Sequence, residues 1–400
     1  MNNSRKYISE FVGLDLLRFL LAVVVVMVHY YHFYGPFPDG PFKNSNSVIP
    51  EEPLFFIFWP IYTIGGSAVQ VFWLISGLIF YSVYYHDIAT RKVSFEKFSF
   101  LRFTRLYPLH FATLFAALIV QLTFFYYHHQ YFVYQTMDIS HFFMQLFFIG
   151  AWTPSVDFSF NVPMWSVSIE IFVYIVFYLL AAISFFDGRK LLFMIGVSVV
   201  FLQSGILSPF DRCLLYFLSG CLLARWIGEG VPLKTLLVRY LIASIAFGVI
   251  TKVLRVTLTP ELLTPFSDVI KEFKNVPIAS TVVILFIYAF RNISSPKVIS
   301  LFKQLGNMTY SVYAVHFSIQ IAMFLIINPR SYKTFDSPLY LFVFMAVSIV
   351  AGWLAFEYFE RPVQKYLRSA YDRRGKRRQA LRKLKHLADE SVELSSEFKP

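Results

Sequence analysis

The chemistry-bearing residues of this sequence sit inside runs too apolar to hold them without cause. Asp15, Arg18 and His29 lie within GLDLLRFLLAVVVVMVHYYHFYG, Gly13 to Gly35, a stretch long enough to cross a bilayer. Arg18 and His29 are eleven residues apart. On a helix that spacing returns them to nearly one face, about 16 Å apart along the axis. An ionisable side chain in hydrocarbon costs roughly 2.5 kcal/mol or more, so such groups face a bundle interior or a water-filled path.

Further candidates follow along the chain. In FNVPMWSVSIEIFVY, Pro163 suits a first helical turn, Trp165 suits a membrane interface, and Ser166 and Glu170 share a face four residues apart. Glu170 and His29 each lie about two turns in from the same side of the membrane, so the two could meet. A carboxylate beside an imidazole fixes its tautomer and favours the imidazolium, which is a general-base arrangement. A hydrogen-bonded packing histidine is the plainer alternative.

LGNMTYSVYAVHFSIQ steps Tyr310, Tyr313 and His316 along adjoining faces, where interhelical hydrogen bonding would also account for them. FSFLRFTRLYPLHF, the loop entering a span, carries Arg102 and Arg105 three residues apart and therefore neighbours on one helical face, just before Pro108. Paired guanidiniums hold phosphate bidentately, and ordinary anchoring at a basic membrane face explains them as well. Trp73, Ser76 and Gly77 in VFWLISGLIF read as packing residues. In FEYFERPVQKYL, a local ion pair explains Glu357, Glu360 and Arg361, and Pro362 is expected to stop the helix.

The elements that must position these residues are membrane helices. Ten apolar runs are long enough, at about 13–35, 61–85, 106–127, 163–186, 190–207, 211–228, 238–256, 275–290, 305–327 and 338–360. The expected fold is an all-α polytopic bundle. Its orientation follows from Lys and Arg in alternate loops: Arg5 and Lys6, then Arg91 to Arg105, Arg189 and Lys190, Arg225 to Arg239, Arg291 to Lys303, and the tail from Arg361. Of the intervening segments, 36–60 has only Lys43 against Asp39, Glu51 and Glu52, 128–162 has none, and 257–274 is mixed. Both termini are therefore expected in the cytoplasm.

Composition agrees: 57% of the 400 residues are hydrophobic, 20% aromatic and only 15% charged, which excludes an ordinary soluble domain. The first span is too long for a cleavable signal and no small-residue cleavage site follows it, so it is expected to be retained. The net charge of +12 lies largely in the basic loops and tail, where anionic headgroups are sufficient partners and nucleic acid is not needed. Cys213 and Cys221 are eight residues apart on one helix, too far for a disulfide and without metal or redox spacing. Residues 1–368 read as one membrane domain and 369–400 as a basic, then acidic, cytoplasmic tail.

In order, LDLLRFLLAVVVVMVH, FWLISGLIF, RFTRLYP, NVPMWSVSIEIFVY, MTYSVYAVHFSI and FERPVQKYL resemble the motifs of the acyltransferase 3 family of integral membrane acyltransferases, which modify bacterial surface sugars and other acceptors. Arg18 and His29 occupy the family's first-span Arg and His positions, and Arg102 and Arg105 fill its RxxR motif. Trp165, Ser166 and Glu170 fall in its WSxxxE segment, and Tyr313 and His316 in its YxxH segment.

The resemblance implies ten spans with cytoplasmic termini, in a bacterial cytoplasmic membrane. It also implies O-acyl transfer from an acyl-CoA, acetyl-CoA by default, to a hydroxyl of a carbohydrate acceptor, without a metal. In that scheme Arg102 and Arg105 bind the donor phosphates and Arg18 lines the passage of the pantetheine arm. His29 then acts as general base or accepts the acyl group itself, with Glu170 orienting it. Trp165, Ser166, Tyr313 and His316 are expected to contact substrate. A proton-coupled transporter of a polar solute is the alternative from another class, since it too would line a central path with titratable groups.

Overall fold

The structure, a computed structural model, describes residues 11–37, 50–153, 158–375, 377 and 381. Arg5, Lys6, Asp39, Lys43 and nearly all of the tail beyond residue 375 lie outside the described residues. In hydrocarbon every backbone N–H and C=O must be satisfied within the chain, and these Leu-, Val-, Ile- and Phe-rich runs do so as helices.

The helices are α1 Val12–Phe33, α2 Phe55–Ala89, α3 Phe95–His128, α4 Ile139–Leu146, α5 Val162–Ala182 and α6 Gly188–Ser204. They continue as α7 Phe210–Gly228, α8 Leu233–Thr257, α9 Pro260–Phe290, α10 Pro296–Ile327 and α11 Pro338–Gly375. Each of the ten expected runs coincides with a helix. Among the described residues, eight helices are long and apolar enough to cross a membrane. Besides the short α4, the helices outside that group are α6, of 17 residues, and α7. The latter carries Asp211, Arg212 and Arg225 but is buried almost throughout by its neighbours, so it need not be apolar all round.

Local chemistry sets the helix starts. Ser94 accepts from the Lys97 N–H at 3.2 Å and caps α3, and Asp187 accepts from the Lys190 N–H at 2.9 Å and caps α6. Asp138 caps α4. The Ser140 hydroxyl and the His141 N–H, bonded to its carboxylate at 2.5 and 3.0 Å, hold that group below the usual carboxylate range.

Pro108 lies inside α3, which starts at Phe95, ahead of the expected span, so Arg102 and Arg105 share one helical face as their spacing implies. One proline corrects the sequence expectation: Pro362 does not end α11. A wider π turn at Phe356–Glu360 precedes it and the helix continues to Gly375, the wide turn relieving the clash between a proline ring and the preceding backbone.

At the centre, α7 lies against α2, and α10 against α1, α3 and α11. The α2–α7 crossing is a backbone-to-backbone contact: a Cβ on Gly77 would strike the Phe217 carbonyl, and one on Gly220 the Leu74 carbonyl. It fixes the register of Ser76, one residue before Gly77. Cys221 donates its S–H to the Gly77 carbonyl at 3.4 Å, and both cysteines are buried and free, as packing residues.

One apolar cluster joins the start of α1 to α2, α5 and α7 through Leu17, Phe80, Phe177 and Phe217. A second joins its other end to α3, α10 and α11 through Tyr30, Phe124, Phe317 and Phe344. By contrast α8 buries only Leu236 and Thr251 and presents Leu241, Ile245, Val249 and Val256 outward, a surface suited to lipid.

Candidate active site

A cavity of about 380 Å³ opens between α1, α2, α3, α5, α10 and α11, within the range of small-molecule sites. Arg102 and Arg105, on one face of α3, line it with Arg18, Glu170, Ser166 and Tyr313.

Each α3 arginine is held by a π turn of a neighbouring helix. Arg102 donates to the Tyr84 hydroxyl, from the π turn Tyr81–Tyr85, and its guanidinium lies 5.0 Å from the Phe80 ring centre and 4.9 Å from that of Tyr84. Arg105 donates to Glu360, from the π turn Phe356–Glu360, and to the Asn307 carbonyl at 3.0 Å. Ser311 donates to the second oxygen of Glu360 at 2.5 Å.

The two arginines therefore differ electrostatically. Arg105 is matched by a carboxylate whose side chain is 2% exposed. Arg102 has no carboxylate at ion-pair distance among the described residues. The local ion pair expected among Glu357, Glu360 and Arg361 is present as Glu357–Arg361 at 2.6 Å, while Glu360 turns inward to Arg105.

Arg18 stands one turn above Asp15, at 3.6 Å. Glu170 accepts from the Ser76 hydroxyl, with Arg18, Arg102 and Tyr174 within electrostatic reach. This corrects the expected pairing of Glu170 with His29. Their depths were comparable, but Glu170 faces α2 and the basic cavity, where Ser76 meets it.

The inner wall of the cavity is formed by Tyr313 and Ser166. Tyr313 donates to the Pro163 carbonyl at 2.7 Å, and its hydroxyl oxygen lies 2.8 Å from Ser166 Oγ. Behind this wall lie three histidines. The His316 ring is 5.8 Å from Tyr313, His29 is 5.0 Å from His316, and His32 is 5.3 Å from His29. The tight turn His29–Phe33 at the end of α1 repeats every three residues, which puts His29 and His32 on one side.

His29 Nδ1 lies 2.8 Å from the Val25 carbonyl and His316 Nδ1 2.8 Å from the Tyr313 carbonyl. A carbonyl only accepts, so both Nδ1 atoms carry the proton and both Nε2 atoms keep a lone pair. That of His316 is buried without a partner. Gln320 ties the group together, donating to the His29 carbonyl at 2.7 Å and accepting from His32 Nδ1 at 3.2 Å, while Tyr134 donates to His32 Nε2 at 3.3 Å.

Trp165 stands apart from both groups. It makes an edge contact with Trp73 at 6.1 Å and lines a second, much smaller cavity of about 20 Å³ beside His110. The residues brought to one cavity are thus Arg18, Arg102, Arg105, Ser166, Glu170 and Tyr313, with His316 beyond Tyr313 and His29 beyond His316. Sequence reasoning reads Ser76 as a packing residue and does not raise Tyr84, His32, Gln320, Gln364 or Arg368. Only Glu360 had a readable sign, since Glu357 is the correctly spaced helical partner of Arg361 and leaves Glu360 over. Among the described residues no group of three or more His, Cys, Asp or Glu side chains is placed to hold a metal ion.

Residues 11–357 match the family described as an acyltransferase domain. No curated protein and no solved structure matches the chain. With that match covering most of its length, on an all-helical bundle of membrane-spanning helices, the chain belongs to the acyltransferase 3 family and is a multi-pass membrane acyltransferase.

Proposed function

We propose that this protein transfers an acyl group, acetyl by family resemblance, from cytoplasmic acyl-CoA to a hydroxyl of a carbohydrate acceptor at the opposite face of a bacterial cytoplasmic membrane. The observation that carries this reading is the basic cavity whose inner wall, Tyr313, stands one ring from the His316–His29 pair. The basic loops put the arginine end of the cavity in the cytoplasm. Arg102 supplies the charge for the donor phosphates, Arg105 and Arg18 line the wall, and the thioester arm points inward past Ser166 and Tyr313.

His29 acts as general base. With Nδ1–H held by Val25, Nε2 takes the proton of the acceptor hydroxyl as its oxygen attacks the thioester carbonyl. The C–S bond breaks, and the imidazolium returns the proton to the departing thiolate. Gln320 and His32 keep the imidazole turn in place. Glu170 acts on the donor side, balancing Arg18 and Arg102 rather than orienting His29.

Movement of Tyr313 from the inner wall would open the cavity toward His316, the ring beside His29, and Ser166 and the Pro163 carbonyl define its closed position. Incubating the purified protein with acetyl-labelled acetyl-CoA and an envelope glycan fraction tests the function. Label in the glycan with free thiol released supports it, whereas solute movement across proteoliposomes with the thioester intact overturns it in favour of a transporter.

A further inference from the structure

The continuation of α11 past Pro362 brings two residues to the basic cavity that lie beyond residue 357, where the family match ends. Gln364 and Arg368 are one turn apart on the same face and both line the cavity. Arg368 is fixed by donating from Nε to Thr104 Oγ1 at 3.2 Å and from Nη2 to the Leu101 carbonyl at 3.4 Å. Tyr371, stacked on Phe100 at 4.3 Å, clamps the same stretch of α11 to α3.

This mouth is rich in donors without acceptors. Arg102 and Arg105 are both close enough to repel Arg368, and neither Arg102 nor Arg368 has a carboxylate at ion-pair distance among the described residues. Arg102 Nε and Gln364 Nε2 are buried N–H groups with no acceptor. Buried donors ordinarily have partners, and cations gathered in a partly dry cleft call for an anion. A surface that offers N–H groups and positive charge selects a ligand that is all acceptor, which is the chemistry of a phosphate or diphosphate.

We propose that Gln364 and Arg368 form, with Arg102, a three-residue clamp for the phosphates of the acyl donor. The clamp rests on the acyl-CoA reading above for its ligand. The long final helix would then be part of the donor site, and Pro362 with its π turn is the device that keeps that helix going far enough to reach it. An anionic lipid headgroup carries the same chemistry, so the test must separate the two.

The test uses the full chain in detergent freed of lipid, with separate calorimetric titrations of CoA, of inorganic diphosphate and of a short-chain anionic phospholipid into wild type, Arg368→Gln, Arg368→Lys and Gln364→Ala. The Michaelis constants for acetyl-CoA and for acetyl-pantetheine, which lacks the phosphates, are measured alongside. Losing one charge-assisted contact corresponds to about tenfold or more in affinity. The clamp predicts that loss for CoA and diphosphate in Arg368→Gln, a smaller one in Gln364→Ala, and partial recovery in Arg368→Lys. It also predicts an unchanged acetyl-pantetheine KM and an unchanged kcat.

An unchanged CoA and diphosphate affinity in a well-folded Arg368→Gln protein overturns it, as does an equal KM rise for acetyl-pantetheine, which would mark a structural role. Diphosphate binding that depends on Arg368 in a protein that does not use acetyl-CoA upholds the clamp and removes the acyl-CoA reading. Binding of anionic phospholipid, but of neither CoA nor diphosphate, removes the clamp as a donor site.

Discussion

Replacing Arg102 by alanine separates donor binding from scaffold integrity, because the two α3 arginines are held so differently. Arg102 contacts a neutral hydroxyl and two ring faces and has no ion-paired carboxylate among the described residues, so its loss breaks no ion pair, and Arg18 remains within reach of Glu170. A hydrogen bond to a charged group contributes about 1.5–3 kcal/mol. At 1.4 kcal/mol per factor of ten, the donor should bind roughly 10- to 150-fold more weakly.

Arg105→Ala is the contrast. It leaves Glu360, 2% exposed, without its cation, and breaking a buried pair costs about 3–5 kcal/mol of stability. Thermal unfolding in detergent and calorimetric titration with acetyl-CoA, run on both variants, read the two effects. Arg102→Ala should lose affinity at a near-native melting temperature, and Arg105→Ala should melt early. An Arg102→Ala protein that binds acetyl-CoA like wild type refutes the assignment of phosphate charge to Arg102, and a native melting temperature for Arg105→Ala refutes the structural reading of the Arg105–Glu360 pair.

Two further outcomes follow from the same geometry. Glu170→Gln keeps a hydrogen-bonding oxygen for Ser76 but removes the negative charge facing Arg18 and Arg102, so turnover should fall by about tenfold or more while melting stays near native; wild-type turnover would show that the charge is dispensable. Gly77→Ala forces a methyl into the Phe217 carbonyl and should destabilise the protein by about 1–3 kcal/mol, seen as a lower melting temperature, with an unchanged one contradicting the close α2–α7 contact.

Depth and charge were readable in the sequence; direction across the bundle was not. Arg18 and His29 were recognised because ionisable groups stand out in an apolar run, and Arg18 does line the cavity. Helical spacing, however, places a residue on a face of its own helix without saying which neighbour that face meets. Glu170 was therefore assigned to His29 when it meets Ser76 on α2. Ser76 looked like packing because a lone serine beside glycine has no periodic signal.

Pro362 misled: it reads as a boundary, yet it lies within a continuing helix, after a π turn. That error hid Gln364 and Arg368, and the inward turn of Glu360 with them. The histidine cluster was legible only in part, since the tight turn that brings His32 beside His29 leaves no mark in residue type.

The central claim is that His29 is the base of an acyl transfer. Its most direct test is single-turnover transfer from acetyl-labelled acetyl-CoA by purified His29→Ala protein, with donor affinity and melting temperature measured on the same sample. The account predicts unchanged donor binding and folding with transfer lower by at least about a hundredfold, the contribution of a positioned general base. Transfer at the wild-type rate by a folded, donor-binding His29→Ala protein would contradict it.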